Sequence, residues 1–143
     1  MKRWIVCVLV LGSASIFPSG PSRLVAQVCK DEESMVADSK KAVTDMVETV
    51  KKESLPDFEK AYHQKNVTNK LTFFGSVVDG YISCLQKHAG DPTTPKEDAD
   101  AAKGKIDAYS TLKEKIKRDR DAVKAAQTGK EAKALIEKIA YPL

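Results

Sequence analysis

Two cysteines are the residues whose type and spacing point to a definite chemistry. Cys29 and Cys84 lie 55 residues apart in this chain of 143 residues, and a third, Cys7, lies in an N-terminal segment that we expect to be removed. In an oxidising compartment a remaining pair of cysteines forms a disulfide by default. We therefore predict a Cys29–Cys84 disulfide within one chain. The alternative that this pattern leaves open is a bridge between two copies.

The other reactive side chains indicate neither catalysis nor a metal site. The two histidines, His63 and His88, are 25 residues apart, and neither lies in a recognisable metal-binding motif. His88 continues an apolar stripe, so we expect it to be packed or to interact with the C-terminus of its helix. Ser76 and Ser110 have no glycine elbow, and we find no phosphate loop. We expect no enzyme activity, no cofactor and no metal.

A glycosylation sequon is the clearest modification signal. Asn66-Val67-Thr68 has a permitted middle residue. The sequon lies within 63–70, a stretch that is polar almost all round and that we expect to be exposed. In a eukaryotic secretory pathway we therefore predict a glycan on Asn66.

Six aromatic residues form the richest apolar set, which we expect to lie mainly in the core: Phe58, Tyr62, Phe73, Phe74, Tyr81 and Tyr109. Phe73 is the exception, because adjacent helical residues cannot both point inward on a narrow apolar stripe. Phe73 is therefore a candidate for a groove or a partner surface. The alternative is that a helix at 95–126 covers it.

The N-terminus has the composition of a secretory signal peptide. Positive charge at Lys2 and Arg3 precedes an apolar run over 4–17, and small residues follow, ending at Ala26. We predict a signal peptide at 1–26, with an earlier cut near Ala14 left open. An uncleaved anchor is the alternative, but the run is shorter than the ~20 residues that a membrane span needs. We therefore expect a secreted, extracellular protein without a transmembrane anchor.

Removal of this segment changes the charge balance. The chain has 24 basic and 20 acidic residues, and loss of Lys2, Arg3 and Arg23 would leave 21 and 20. A nucleic-acid-binding domain needs a basic footprint on its folded surface. We therefore expect no nucleic acid partner.

The segment between the two cysteines predicts a helical hairpin at 28–89. Apolar residues recur at helical spacing over 31–53, which indicates a helix. The following residues, Ser54-Leu55-Pro56-Asp57, indicate that this helix ends and a second one begins. Residues 30–53 and 57–84 would form helices of ~36 and ~42 Å, so a continuous or slightly kinked return helix would bring the two thiols together. The apolar stripe changes phase between Tyr62 and Leu71, which leaves two shorter helices as the alternative.

The rest of the chain predicts further helices. A loop at 90–94 precedes a helix at 95–126, and capping residues after Thr128 indicate a last helix at 130–140. No segment alternates apolar and polar residues as strands do. We predict an all-α fold: one domain at 27–143, built as an antiparallel bundle of about four helices with its N-terminal hairpin clasped by the disulfide.

These features favour a secreted, non-catalytic small glycoprotein that binds another protein as an effector, inhibitor or defence-related factor. The clasped hairpin is similar in architecture to plant invertase and pectin methylesterase inhibitors, whose further cysteines this chain lacks, so no residue role carries over. The alternative is an extracellular carrier of lipid or a small apolar ligand, since amphipathic helices with lysine-rich faces can open around such ligands. A third possibility is a structural or storage protein without a specific ligand.

Overall fold

The structure, a computed structural model, describes residues 28–142, and every regular element in this range is a helix. The helices are α1 (Lys30–Lys52), α2 (Leu55–Lys60), α3 (His63–Gly90), α4 (Lys96–Ala125) and α5 (Gly129–Ile136). The predicted all-α class is confirmed. The predicted signal peptide at 1–26 lies outside the described residues.

Helix α1 forms for the reasons that its sequence indicates. Three acidic residues occupy its first turn, and Lys51 and Lys52 occupy its last, so both ends complement the helix dipole. Its buried side is a stripe of small β-branched residues at helical spacing: Val36, Val43, Val47 and Val50.

The favoured single return helix, continuous or slightly kinked, is replaced by the alternative of two helices, because the chain breaks between α2 and α3. Ser54 caps α2 as predicted, with its hydroxyl oxygen accepting a hydrogen bond from the backbone N–H of Asp57. Helix α2 then ends at Lys60, and Tyr62 adopts the left-handed conformation with φ 53° and ψ 36°. A right-handed helix cannot pass through such a residue. The phase change of the apolar stripe marks this break, which gives five helices instead of about four.

Helix α3 is the central element, since it contacts each of the other four helices. Its most deeply buried side chains are large and apolar, and each is fully enclosed: Leu71, Phe74, Val78, Tyr81 and Leu85. These residues define the buried side of α3, and the opposite side of the helix is exposed.

The disulfide between Cys29 and Cys84 is confirmed. The two Cα atoms are 6.0 Å apart, within the range that a disulfide requires. Close to this end, the Lys105 ammonium lies 2.9 Å from the Glu33 carboxylate and 3.1 Å from the Tyr81 hydroxyl. The hydrogen bond from Lys105 lowers the pKa of Glu33 below its ordinary value. Side chains of α1, α3 and α4 thus meet beside the disulfide.

The C-terminal segment differs from its prediction. Thr128 caps α5 by accepting a hydrogen bond from the N–H of Glu131, but the helix ends at Ile136 instead of continuing to 140. The tail remains packed, because the Tyr141 ring meets the Phe74 ring edge-on at 5.5 Å and lies under the Lys115 ammonium at 4.5 Å. Burial raises the pKa of Tyr141 well above its ordinary value. The tail therefore covers part of the core beside α3.

None of the helices within 28–142 combines the length and apolar composition that crossing a membrane requires.

The disulfide should contribute much of the stability of this fold. A loop that spans 55 residues loses enough conformational freedom in the unfolded chain to stabilise the native state by about 4 kcal/mol. We expect the double variant Cys29→Ser/Cys84→Ser to lose about that much free energy of unfolding, measured by urea denaturation followed by circular dichroism. Reductant should lower the midpoint of the wild type and leave the double variant unchanged. Equal midpoints for the oxidised wild type and the variant would contradict a stabilising clasp.

Candidate functional site

The outer face of α3 presents exposed aromatic and amide side chains in a single stripe. Asn66, Asn69 and Phe73 follow one another at spacings of three and four residues, which places them on one side of the helix, and Tyr62 directly precedes its first residue. All four are exposed. Tyr62 is 73% exposed and Phe73 is 60% exposed, values far above those of the core aromatics. We call this stripe the outer face of α3.

Phe73 lies at the edge of a groove between α1 and α3. The groove has a volume of about 430 Å³ and is lined by Asp38, Ser39, Ala42, Asn69, Lys70 and Phe73. Phe74, the next residue, is fully buried, in agreement with the expectation that only one of the two phenylalanines can face the core. Because Phe73 is largely exposed, the alternative that the helix at 95–126 covers it is wrong.

The α1 side of this groove is also partly apolar. Met35 is 50% exposed and precedes Asp38, Ser39 and Ala42 on the same stripe of α1. Ser39 is buried, while Asp38 is exposed. The groove therefore combines apolar contact area with polar groups at its rim, a composition typical of protein-binding surfaces.

Tyr62 was expected in the core, and this expectation is wrong. The left-handed backbone of Tyr62 turns its side chain outward at the point where α2 ends and α3 begins. A non-glycine residue in this conformation costs roughly 1–2 kcal/mol. Among residues 28–142 it is the one non-glycine position with positive φ. Such strain persists only where surrounding contacts hold it, and it is frequent at functional sites.

A second concavity lies on the other side of the outer face. Its volume is about 780 Å³, and its walls come from α2, the first turns of α3, the end of α4 and the start of α5. The walls combine aromatic, amide, hydroxyl and charged side chains, including Phe58, Tyr62, His63, Gln64, Arg120 and Lys124. We call this concavity the Tyr62 cavity.

One wall of the Tyr62 cavity is fixed by Gln64. The Gln64 side-chain amide donates to the backbone carbonyl oxygens of Val123 at 2.9 Å and Ala126 at 3.1 Å. These residues are at the end of α4, where carbonyl groups lack partners inside the helix. The start of α3 and the end of α4 are therefore held together beside the cavity.

His63 contributes a buried polar group to the same cavity. Its ring is stacked on Phe58 with ring centroids 5.7 Å apart, and its Nε2 lies 2.6 Å from Oε2 of Glu53. Within the described residues, Nδ1 of His63 has no hydrogen-bond partner. His63 and Val67 are both buried, so the expectation that the stretch 63–70 is exposed holds for Asn66 but is wrong for these two positions.

The charged groups of the Tyr62 cavity have a small positive excess. Lys65, Arg120 and Lys124 supply three positive charges, against the carboxylates of Glu59 and Asp121. Arg120 is already engaged, since its Nε and Nη2 both donate to Oδ1 of Asp121 at 2.9 and 2.8 Å. The cavity can therefore contact polar and negatively charged groups as well as apolar ones.

Asn66 lies between the two exposed aromatics. Its side-chain Nδ2 donates to the backbone carbonyl oxygen of Ala61 at 3.2 Å, and its backbone N–H donates to the carbonyl oxygen of Tyr62 at 3.1 Å. Glycosylation of Asn66 stays a prediction. The structure thus places two of the predicted site residues, Asn66 and Phe73, on one face of α3, about two helical turns apart.

The other predicted positions do not join this site. Cys29 and Cys84 form the disulfide near the far end of α3. His88 is half-buried in the last turn of α3, where the Thr94 hydroxyl donates to its backbone carbonyl oxygen at 2.8 Å. Across residues 28–142 no three histidine, cysteine or carboxylate side chains are grouped in a way that could hold a metal ion.

Comparison of the chain with protein-family models, with curated proteins and with solved structures gives no match.

The left-handed conformation of Tyr62 predicts an unusual response to glycine. Relative to Tyr62→Ala, we expect Tyr62→Gly to raise the free energy of unfolding by about 1 kcal/mol, because glycine adopts positive φ without strain. Gly104 is the matched control: it is exposed inside α4, and an added Cβ would meet nothing within 4 Å. Gly104→Ala should stabilise by about 1 kcal/mol, since alanine is favoured within a helix.

Both pairs are to be measured by urea denaturation of unglycosylated protein made in a bacterial periplasm. If alanine were more stable than glycine at position 62 as well as at position 104, Tyr62 would not be left-handed in solution.

Proposed function

We propose that this chain is a secreted, non-catalytic small glycoprotein that binds another protein through the outer face of α3 and the adjoining groove. The roles that suit such a module are those of an effector, an inhibitor or a defence-related factor. The observation that carries the proposal is the 60% exposure of Phe73 at the edge of a groove on a stapled helical scaffold. Exposed aromatic side chains at concave positions are frequent anchors of protein interfaces.

The proposed scaffold is a single domain over 27–143, an antiparallel bundle. In support, the disulfide joins the start of α1 to the last turns of α3. Contacts between α3 and α4 also support an antiparallel arrangement. Gln64 at the start of α3 bonds to the end of α4, while Asp79, further along α3, pairs with Lys113 in the middle of α4. A scaffold with such cross-connections would present Phe73 with little reorganisation on binding.

Secretion is the proposed setting of this activity. It is supported by the signal-like composition of 1–26 and by a disulfide, since disulfides persist mainly in oxidising compartments. The exposed position of Asn66 is compatible with glycosylation there. None of these features requires a catalytic group.

Photo-crosslinking tests the protein-binding proposal. The mature protein would carry benzoylphenylalanine in place of Phe73, and a matched control would carry it in place of Ala108, an exposed residue of α4. Each would be irradiated in extracellular fluid from the source tissue. We expect one discrete adduct from position 73 and none from position 108, by mass spectrometry. An excess of wild-type protein should suppress the adduct, whereas an excess of Phe73→Ser should not.

Equal labelling from positions 73 and 108, or a position-73 adduct that both competitors suppress equally, would contradict a partner site at Phe73.

A second candidate function is that of an extracellular carrier of lipid or a small apolar ligand. The observation in its favour is the Tyr62 cavity, whose volume of about 780 Å³ lies in the range of small-molecule sites. Phe58 and Tyr62 offer apolar contact there, but His63, Arg120 and Lys124 give the walls a polar character. This lining suits an amphipathic or acidic ligand better than a purely apolar one.

Native mass spectrometry tests the carrier function. If the chain is a carrier, the protein secreted by a eukaryotic host should show an extra non-covalent mass that disappears on denaturation. The variant Arg120→Gln/Lys124→Gln should lose this mass, because it removes two of the charges that line the cavity. The control Lys103→Gln/Lys117→Gln removes two exposed charges of α4 outside the cavity lining and should retain it. A bare protein, or equal retention by both variants, would contradict binding in the Tyr62 cavity.

A further inference from the structure

We propose that the ring of Tyr62 is the packing surface for the first sugar of an N-linked glycan on Asn66. The inference rests on the glycosylation proposed above, and it assigns a role to the most exposed aromatic side chain of residues 28–142. It also names the occupant of this end of the outer face: a covalently attached N-acetylglucosamine belonging to the chain itself.

The hydrogen bond of the Asn66 side chain holds its amide beside the peptide group that links Ala61 to Tyr62. Asn66 lies one helical turn after Tyr62, and its side-chain Nδ2 is held 3.2 Å from the carbonyl oxygen of Ala61, the residue that precedes Tyr62. Nδ2 is the atom to which an N-linked sugar is attached. A sugar attached there would begin beside Ala61 and Tyr62, at the junction between α2 and α3.

The same hydrogen bond is compatible with glycosylation. An asparagine amide carries two hydrogens. Attachment of a sugar replaces one, which leaves the other to donate to the carbonyl oxygen of Ala61. The bond seen in the structure can therefore persist in the glycosylated protein and restrict the directions in which the sugar leaves the helix.

Tyr62 supplies the matching surface. Its side chain is 73% exposed, so most of the ring is accessible. A pyranose ring has an apolar C–H face that can lie against an aromatic ring, and burial of both faces is favourable. The left-handed backbone that turns Tyr62 outward is strained, and a contact made only in the glycosylated protein would offset part of that strain.

The geometry separates Tyr62 from Phe73. Phe73 lies seven residues after Asn66, about 10 Å along the helix and in the direction away from Ala61. The first sugar would therefore contact Tyr62 and leave the groove at Phe73 open. Phe73 is thus the matched control, since it is an exposed aromatic on the same face at which we expect no effect.

A thermodynamic cycle tests this inference. Wild type, Tyr62→Ser and Phe73→Ser are each made in two forms. One is secreted by a eukaryotic host and trimmed by endoglycosidase H to a single N-acetylglucosamine, and the other is made without a glycan in a bacterial periplasm. We expect the single sugar to raise the thermal midpoint of the wild type by about 3 °C. The increment should disappear in Tyr62→Ser and persist in Phe73→Ser.

A second measurement does not depend on stability. Hydroxyl-radical footprinting should show Tyr62 oxidised several-fold more slowly in the protein with one sugar than in the unglycosylated protein. Oxidation of Phe73 and Met35 should be unchanged.

The outcomes distinguish this inference from the proposed glycosylation. An intact mass without a sugar would overturn both. A sugar on Asn66 that gives equal increments in wild type and Tyr62→Ser, or that leaves the oxidation of Tyr62 unchanged, would overturn only the contact with Tyr62. The protein-binding proposal at Phe73 does not depend on either result.

Discussion

The disulfide between Cys29 and Cys84 determines how α1 lies along α3, and the position of the candidate site follows from this constraint. Cys29 lies at the start of α1 and Cys84 lies in the last turns of α3, so the bond joins these two helices near one end of each. Ser39 lies ten residues after Cys29, and Phe73 lies eleven residues before Cys84. Both residues line the same groove. A register shift of one turn would move the α1 wall by about 5 Å relative to Phe73. The disulfide and the groove are therefore separated by about three turns of each helix.

Helix α3 has both a side buried in the core and an exposed side that carries the candidate site. It contacts four other helices and buries one side against them, and its opposite side is an exposed stripe in which Phe73 lies among polar residues. Aromatic residues on such a stripe make little contribution to the core and expose apolar area to water. The buried positions of α3 are explained by packing. The exposure of Phe73 is not explained by packing, and this residue therefore carries the protein-binding proposal.

The sequence was a good guide wherever a local signal determined the structure. The helical class, α1, the Ser54 and Thr128 caps and the cysteine pairing all follow from periodicity, capping residues or compartment. Phe73 could be identified because its neighbour Phe74 needed the inward position. Features that depend on distant contacts were missed. The Tyr62 cavity arises because residues 62–65 and 120–124 lie close together in space. The periodicity of apolar residues does not predict such contacts between distant segments. His63 looked exposed because its neighbours are polar, yet Phe58 and Glu53 enclose it.

The break at Tyr62 shows why similar helix lengths did not predict the division of the return helix into α2 and α3. A continuous return helix matched the length of α1, but length does not determine whether the apolar stripe keeps one direction along the chain. The stripe before Tyr62 and the stripe after Leu71 are out of phase, so a straight helix would have turned one of them to solvent. The left-handed residue solves this conflict by re-aiming α2, so that Phe58 becomes buried and the chain enters α3 with Leu71 and Phe74 facing the core. Exposure of the Tyr62 ring is the consequence of that solution. The ring of Tyr62 is thus exposed because of packing and is available for a second role. Asn66 lies one turn away, so a sugar attached to it is the nearest candidate to cover this ring.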